Sequence, residues 1–283
     1  MRAEPEICLT NDDGIDAPGI AALDGALGSV GSTTVVAPRE NRSAVGRSLS
    51  YGRAGGGDEV ELSVSFADGT FTCPVPHADH ERGIAVDGTP CDCAIVGVNA
   101  LKPTPDLLVS GCNSGANLGA FVFARSGTVS AAMEAAFLGT PAIAVSMDTL
   151  GYERELTPAD FERAGRIAAA LTEAVVETDL PKRVDYLNVN VPRPDRELAG
   201  VAVTRPTEVY EMDAAYRDGR FELTNVLWRD MAAGEIPDPP GTDRRALLEG
   251  KVSVSPLSAP YEVRDEPAVR ETIEAALDGV VPV

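Results

Sequence analysis

Lysine is scarce in this chain. Only Lys102, Lys182 and Lys251 occur, and all basic residues together number 24 against 44 acidic ones, a formal net charge of −20. So acidic a surface repels the phosphate backbone of nucleic acids, which argues against duplex binding. It also repels itself, and salt screens that repulsion. The composition therefore points to a high-salt cytoplasm, the plainer alternative being simple solubility. Histidine is rarer still, with His77 and His80 in the segment HADH. An HxxH pair can chelate zinc, but this one stands among Pro74, Pro76 and Asp79, without the glutamate of a zinc-protease helix. A surface loop is expected there. The five cysteines (Cys8, Cys73, Cys91, Cys93 and Cys112) are odd in number and include no CxxC pair. That fits reduced, structural thiols, and Cys91 with Cys93 lacks a second ligand pair at zinc-finger spacing. No apolar run reaches 18 residues, so no membrane span is expected. MRAEPEICLT contains no apolar segment of signal-peptide length, and a cytoplasmic protein is expected.

Three catalytic signatures are also missing. There is no GxSxG, so the nucleophile elbow of an α/β-hydrolase is absent. There is no GxGxxG after a strand and no GK[ST], which removes the dinucleotide fingerprint and the P-loop.

What is present alternates. Apolar runs Ile7 to Thr10, Thr33 to Ala37, Asp106 to Ser110, Pro141 to Ser146 and Tyr186 to Val191 read as strands. Between them lie helical segments: Pro18 to Gly28, Thr89 to Leu101 with Thr89 as cap and Pro90 in the first turn, Ser126 to Gly139, and Thr157 to Val176. A hairpin is expected at Val60 to Cys73. The pattern predicts an α/β fold, a Rossmann-like, doubly wound, mostly parallel sheet over residues 1–192. After Pro192 short β-runs (Gly200 to Thr204, Phe221 to Trp228, Val252 to Pro256), a helix near Thr242 and a last helix from Pro267 follow. Residues 193–283 read as a C-terminal β-hairpin/helix appendage, an oligomerisation arm with a returning strand.

In such a sheet ligands sit beyond the carboxyl ends of the strands. Four polar segments fall there: Asn11 to Gly14, Arg39 to Ser43, Ser110 to Gly119, and Ser146 to Asp148. Carboxylates, an amide oxygen and a hydroxyl form a hard oxygen set, suited to Mg²⁺ or Mn²⁺. The start of the helix at Ser126, Gly127 and Thr128 offers amides and hydroxyls to a phosphate. A cation beside an anion cradle is the equipment of phosphoryl transfer. Asn11 stands where a phosphoaspartate enzyme would place its nucleophile, which leaves that route without one. Asp16 reads as a cap for the Pro18 helix. Arg39, Arg42 and Arg47 either meet substrate phosphate or solvate their loop.

TNDDGIDAPGI, VAPRENRS, GTPCD, VSGCNSGANLG and SGTVSAAME, in this order over residues 6–148, resemble the survival protein SurE family, and Val252 to Leu257 is similar to its late strand. The resemblance implies a metal-dependent nucleotidase acting on nucleoside monophosphates. It implies one divalent cation per subunit held by Asp12, Asp13, Ser43 and Asn113. It also implies a phosphate pocket lined by Asn11, Asn117, Ser126, Gly127 and Thr128, with exchanged C-terminal arms giving a homodimer or homotetramer. The sequence departs from the family in the insertion Gly55 to Glu59 and over 150–240. The expected chemistry is in-line attack of a metal-activated water, with Asp12, Asp13, Asn11, Ser126 and Thr128 as the catalytic set. No histidine stands at a motif position as general acid, so water or the metal would serve the leaving group. Two alternatives are a nucleotide-binding regulatory module without turnover, and a phosphatase acting on polyphosphate or sugar phosphates.

Overall fold

The computed structural model describes residues 4–50, 73–178, 180–226, 231, 233 and 238–259. The chain builds β1 (Glu6–Thr10), α1 (Pro18–Leu27), β2 (Ser32–Pro38), β3 (His77–His80), β4 (Gly83–Val86) and α2 (Pro90–Ile95), whose last turn widens to a π-helix over Val96–Ala100. Then come β5 (Leu107–Ser114), α3 (Ala120–Phe123), α4 (Gly127–Phe137), β6 (Ala142–Met147), a 3₁₀ turn at Pro158–Phe161, α5 (Glu162–Glu177) and β7 (Tyr186–Val191). The rest is β8 (Val201–Val203), β9 (Met212–Arg217), β10 (Arg220–Asn225), α6 (Asp243–Leu248) and β11 (Val252–Leu257).

Among the described residues one sheet of 9 strands runs β3-β4-β2-β1-β5-β6-β7-β11-β8. From β4 through β7 every neighbour is parallel; β3 and β11 run antiparallel to β4 and β7. The fold is the expected mostly parallel α/β sheet. Both faces are covered, which is why β6 and β7 are buried at every position, the asparagines of β7 included. Alternation along β1 splits its side chains: Ile7 and Leu9 join the layer under α1 and α5, whereas Cys8 joins the layer with α2 and α4. Each fully buried Leu or Ile contributes on the order of 1.5–3 kcal/mol.

The chain leaves β1 for β2 on one side and returns to β5 on the other. The strand order therefore reverses between β1 and β5, the crevice where open α/β sheets bind ligands. Beyond residue 192, β8 and β11 extend the same sheet, and β9 pairs with β10 as a hairpin outside it.

Several expectations need correction. HADH is not a loop but the edge strand β3, paired with β4, a strand the sequence did not signal. Asp16 does not cap α1: the cap position is Ala17, without a side-chain bond, and Asp16 Oδ1 lies 3.2 Å from His80 Nε2. The strand expected to end at Ser110 runs on to Ser114, with a register shift between Ser110 and Asn113 against β6. Only Cys73 of the Val60 to Cys73 hairpin falls within the described residues, and the helix from Pro267 lies outside them. Cys8, Cys91, Cys93 and Cys112 are buried free thiols. Among the described residues no helix is long and apolar enough to cross a membrane.

Candidate active site

Asn11 follows β1 and is fully buried. Its amide donates to the Gly14 carbonyl at 2.7 Å, and its carbonyl accepts the Gly14 N–H at 3.2 Å. The loop closes on itself, and Gly14 takes φ +102°, open to glycine at little cost. A Cβ there would also lie 3.1 Å from the backbone of Glu40. The turn is thus tight because the segment after β2 passes beside it: Arg42 N–H donates to the Asp12 carbonyl at 2.7 Å.

The clamp presents Asp12 and Asp13 at the switch point. Asp12 is 3% exposed and faces the start of α4, where the Thr128 hydroxyl donates to its Oδ1 at 2.5 Å. Contact is so close that a Cβ on Gly127 would lie 2.7 Å from Asp12 Cβ and 3.0 Å from its Oδ2. Asp13 Oδ2 accepts the Ser114 N–H at 2.9 Å, and Oδ1 faces Asn41 Nδ2 at 3.4 Å. Ser114 is available because β5 is irregular just before it; such irregularities re-aim residues beside sites.

The electrostatics follow from burial. Asp12 is pushed up to about 6, first by desolvation and then by the charge of Asp13, against the pull of the Thr128 bond. Asp13 is raised by burial too, opposed by the Ser114 bond. Among the described residues no Lys, Arg or His pairs with either carboxylate. A buried carboxylate beside a half-buried one, without a counter-charge, is costly, and a bound cation removes that cost. Among the described residues no three His, Cys, Asp or Glu side chains gather as a metal group. Any cation here would complete its shell from neutral oxygens, as hard cations do.

Two neutral donors have suitable places. Ser43 is exposed on the segment beside Asp12, its N–H bonded to Asn41 Oδ1 at 2.8 Å in an Asx turn. Asn113 donates its amide to the Gly115 carbonyl at 2.6 Å, which leaves its own carbonyl oxygen unused by that bond. Both flank the aspartates, through Asn41 on one side and Ser114 on the other.

The residues expected at the phosphate divide. Ser126 caps α4, its Oγ accepting the Val129 N–H at 3.1 Å, so its own proton stays free to donate. The Thr128 hydroxyl proton instead goes to Asp12. Asn117 is held from the far side: its N–H donates to Asn190 Oδ1 at 2.7 Å and its amide to Ser146 Oγ at 2.9 Å. Its carbonyl accepts from Asn188 and Asn190. Of the three arginines, Arg42 pairs with Asp87 at 3.3 Å and Arg47 with Glu134 at 2.8 Å. Asn41, Asn188 and Asn190 were missed by sequence reasoning. An Asn two residues before Ser43 is an Asx-turn signal that finds the first; alternation of Asn188 and Asn190 within an apolar strand marks the others.

The family model for survival protein SurE matches residues 7–213. A relative from Halobacterium salinarum, named 5'-nucleotidase SurE, is 49% identical over 273 residues, covering 94% of this chain and 96% of its own. A protein of the same name from Geobacter sulfurreducens is 41% identical over 256 residues, covering 89% and 87%. The crystal structure of SurE protein from Aquifex aeolicus superposes with a TM-score of 0.73 at 34% identity, covering 96% of this chain and 99% of that one. Agreement along nearly the whole length, in sequence and in fold, leads to one conclusion: the chain belongs to the survival protein SurE family.

Proposed function

We propose that this protein is a phosphomonoesterase that hydrolyses nucleoside monophosphates to nucleoside and phosphate, using one divalent cation, Mg²⁺ or Mn²⁺, per subunit. The observation that carries the proposal is the uncompensated pair Asp12 and Asp13, set at the sheet's switch point and against the start of α4. The name 5'-nucleotidase SurE, shared by the relatives, supports the substrate class.

Asp12, Asp13, Ser43 and Asn113 would hold the cation. Bound there, it supplies Lewis acidity toward a phosphoryl oxygen and the attacking water. The chain does the rest. Gly127 N–H and the Ser126 hydroxyl bind the phosphate at the positive end of α4, where charge develops on the equatorial oxygens. Asn117 keeps one amide hydrogen after its bond to Ser146 and adds a third donor. Thr128 orients Asp12 rather than substrate, and Asn11 shapes the loop. The protein works in the cytoplasm as a homodimer or homotetramer.

The experiment is phosphate release from AMP and GMP in molar KCl, with Mn²⁺ or with EDTA, beside polyphosphate and sugar phosphates. Release from the nucleotides that disappears with EDTA is expected. Nucleotide binding without release would contradict the proposal.

A further inference from the structure

The segment 39–50 carries Ser43, yet residues 39–49 form neither strand nor helix, and much of the segment is exposed. A side chain that ligates a cation must be held still, so the anchors of this segment matter. Its first half is fixed by the site itself, through Arg42 on the Asp12 carbonyl and Asn41 on Asp13. Its second half is fixed elsewhere. Gly46 donates its N–H to the Arg125 carbonyl at 3.0 Å, and a Cβ on Gly46 would lie 2.5 Å from the Ala124 carbonyl oxygen. Arg47 bonds Glu134 and lies 4.2 Å over the Phe137 ring.

Asp92 supplies a further anchor. It is buried, and its Oδ2 accepts the Thr89 N–H at 2.7 Å, completing the capping box of α2. The same oxygen accepts the Ser50 hydroxyl at 2.5 Å, and Oδ1 accepts the Ser50 N–H at 3.1 Å. A capping box needs a carboxylate oxygen on the cap amide alone. Both bonds to Ser50 are therefore surplus to the helix and serve the segment. Thr89 adds a third tie, its hydroxyl donating to the Ser48 carbonyl at 2.8 Å. The same turn also meets the other half of the site, since a Cβ on Gly127 would lie 2.9 Å from Pro90 Cγ.

We infer that Asp92 is a positioning residue for the cation site: it fixes the far end of segment 39–50 so that Ser43 stays beside Asp12 and Asp13. The inference rests on the proposed role of Ser43 as a cation ligand. It acts through that ligand and not on substrate.

The test measures Mn²⁺ affinity by electron paramagnetic resonance of the free ion, in molar KCl, for wild type, Asp92→Asn and Ser50→Ala. Melting temperature and AMP turnover are followed alongside. Asp92→Asn is expected to weaken Mn²⁺ binding by about tenfold, the usual scale for a group that orients a ligand. Saturating Mn²⁺ should then restore most of kcat. Ser50→Ala should shift affinity the same way by less. Thr157→Ala, which breaks the capping box on Asp160 at the 3₁₀ turn, should lower the melting temperature and leave Mn²⁺ affinity alone. Wild-type affinity in folded Asp92→Asn and Ser50→Ala would overturn the inference and leave Asp92 a helix cap. If Asp92→Asn does not fold, Ser50→Ala decides by the same criterion. Wild type that neither binds Mn²⁺ nor releases phosphate would overturn the nucleotidase reading, and this inference with it.

Discussion

Asp12 and Asp13 sit where charge is least welcome, and their environment has a measurable consequence. In metal-free protein the Asp12 carboxyl is pushed up to about 6, above its ordinary unfolded value near 4. A raised carboxyl favours the folded state when protonated. That stability is complete below the unfolded value and is lost as pH rises through about 6. Asp12→Asn is neutral throughout, so in EDTA and constant KCl the variant should gain on wild type as pH rises from about 4 to about 6. The gain is on the order of 3 kcal/mol, for about two pH units at 1.36 kcal/mol each. Melting curves across that range check it, and a constant difference would contradict the burial argument. At this scale the sequence was partly legible. Spacing showed that Asp12, Asp13 and Thr128 stand at element ends; it could not show that the Thr128 proton turns to Asp12. Hydroxyl direction is settled by the nearest strong acceptor, and that contact spans 116 residues of chain.

In the proposed mechanism α4 is the element that joins cation and phosphate. Its first residue is glycine because a side chain there would occupy the space of Asp12. Gly127→Ala should leave the helix intact, since alanine favours helix more than glycine does. Displacing Asp12 or the helix start by even about 1 Å should lower kcat/KM on the order of 10²-fold. Steady-state kinetics with AMP, alongside circular dichroism, separate that loss from unfolding. Elements with internal signals were readable: β7 matches its expected bounds, and α4 starts where expected because Ser126 caps it, though it ends at Phe137 rather than Gly139. β3 and β9 were not. HADH and MDAAYR carry no alternating apolar pattern, and each is a strand only because a partner supplies its hydrogen bonds. The bonds from Asp92 to Ser50 likewise cross 42 residues, a distance at which sequence pattern is silent.

Two features belong to the scale of the whole molecule. One is its charge of −20. Self-repulsion predicts a melting temperature that climbs from dilute buffer to molar KCl; equal values would remove the case for salt adaptation. The other is the β9–β10 hairpin, outside the main sheet, with Phe221 76% and Leu223 74% exposed. Two-stranded hairpins are marginal alone, and exposed apolar side chains of this kind mark contact surfaces. Light scattering should give a dimer or tetramer for wild type and a smaller species for Phe221→Lys with Leu223→Lys. Unchanged mass would place assembly elsewhere.

The central claim, that Asp12 and Asp13 hold a cation for phosphate release, is tested most directly by AMP turnover of Asp12→Asn and Asp13→Asn at saturating Mn²⁺. Each should fold as wild type does and lose at least about 10³-fold in kcat/KM, the several kcal/mol a catalytic metal supplies. Turnover within tenfold of wild type in either variant would contradict it.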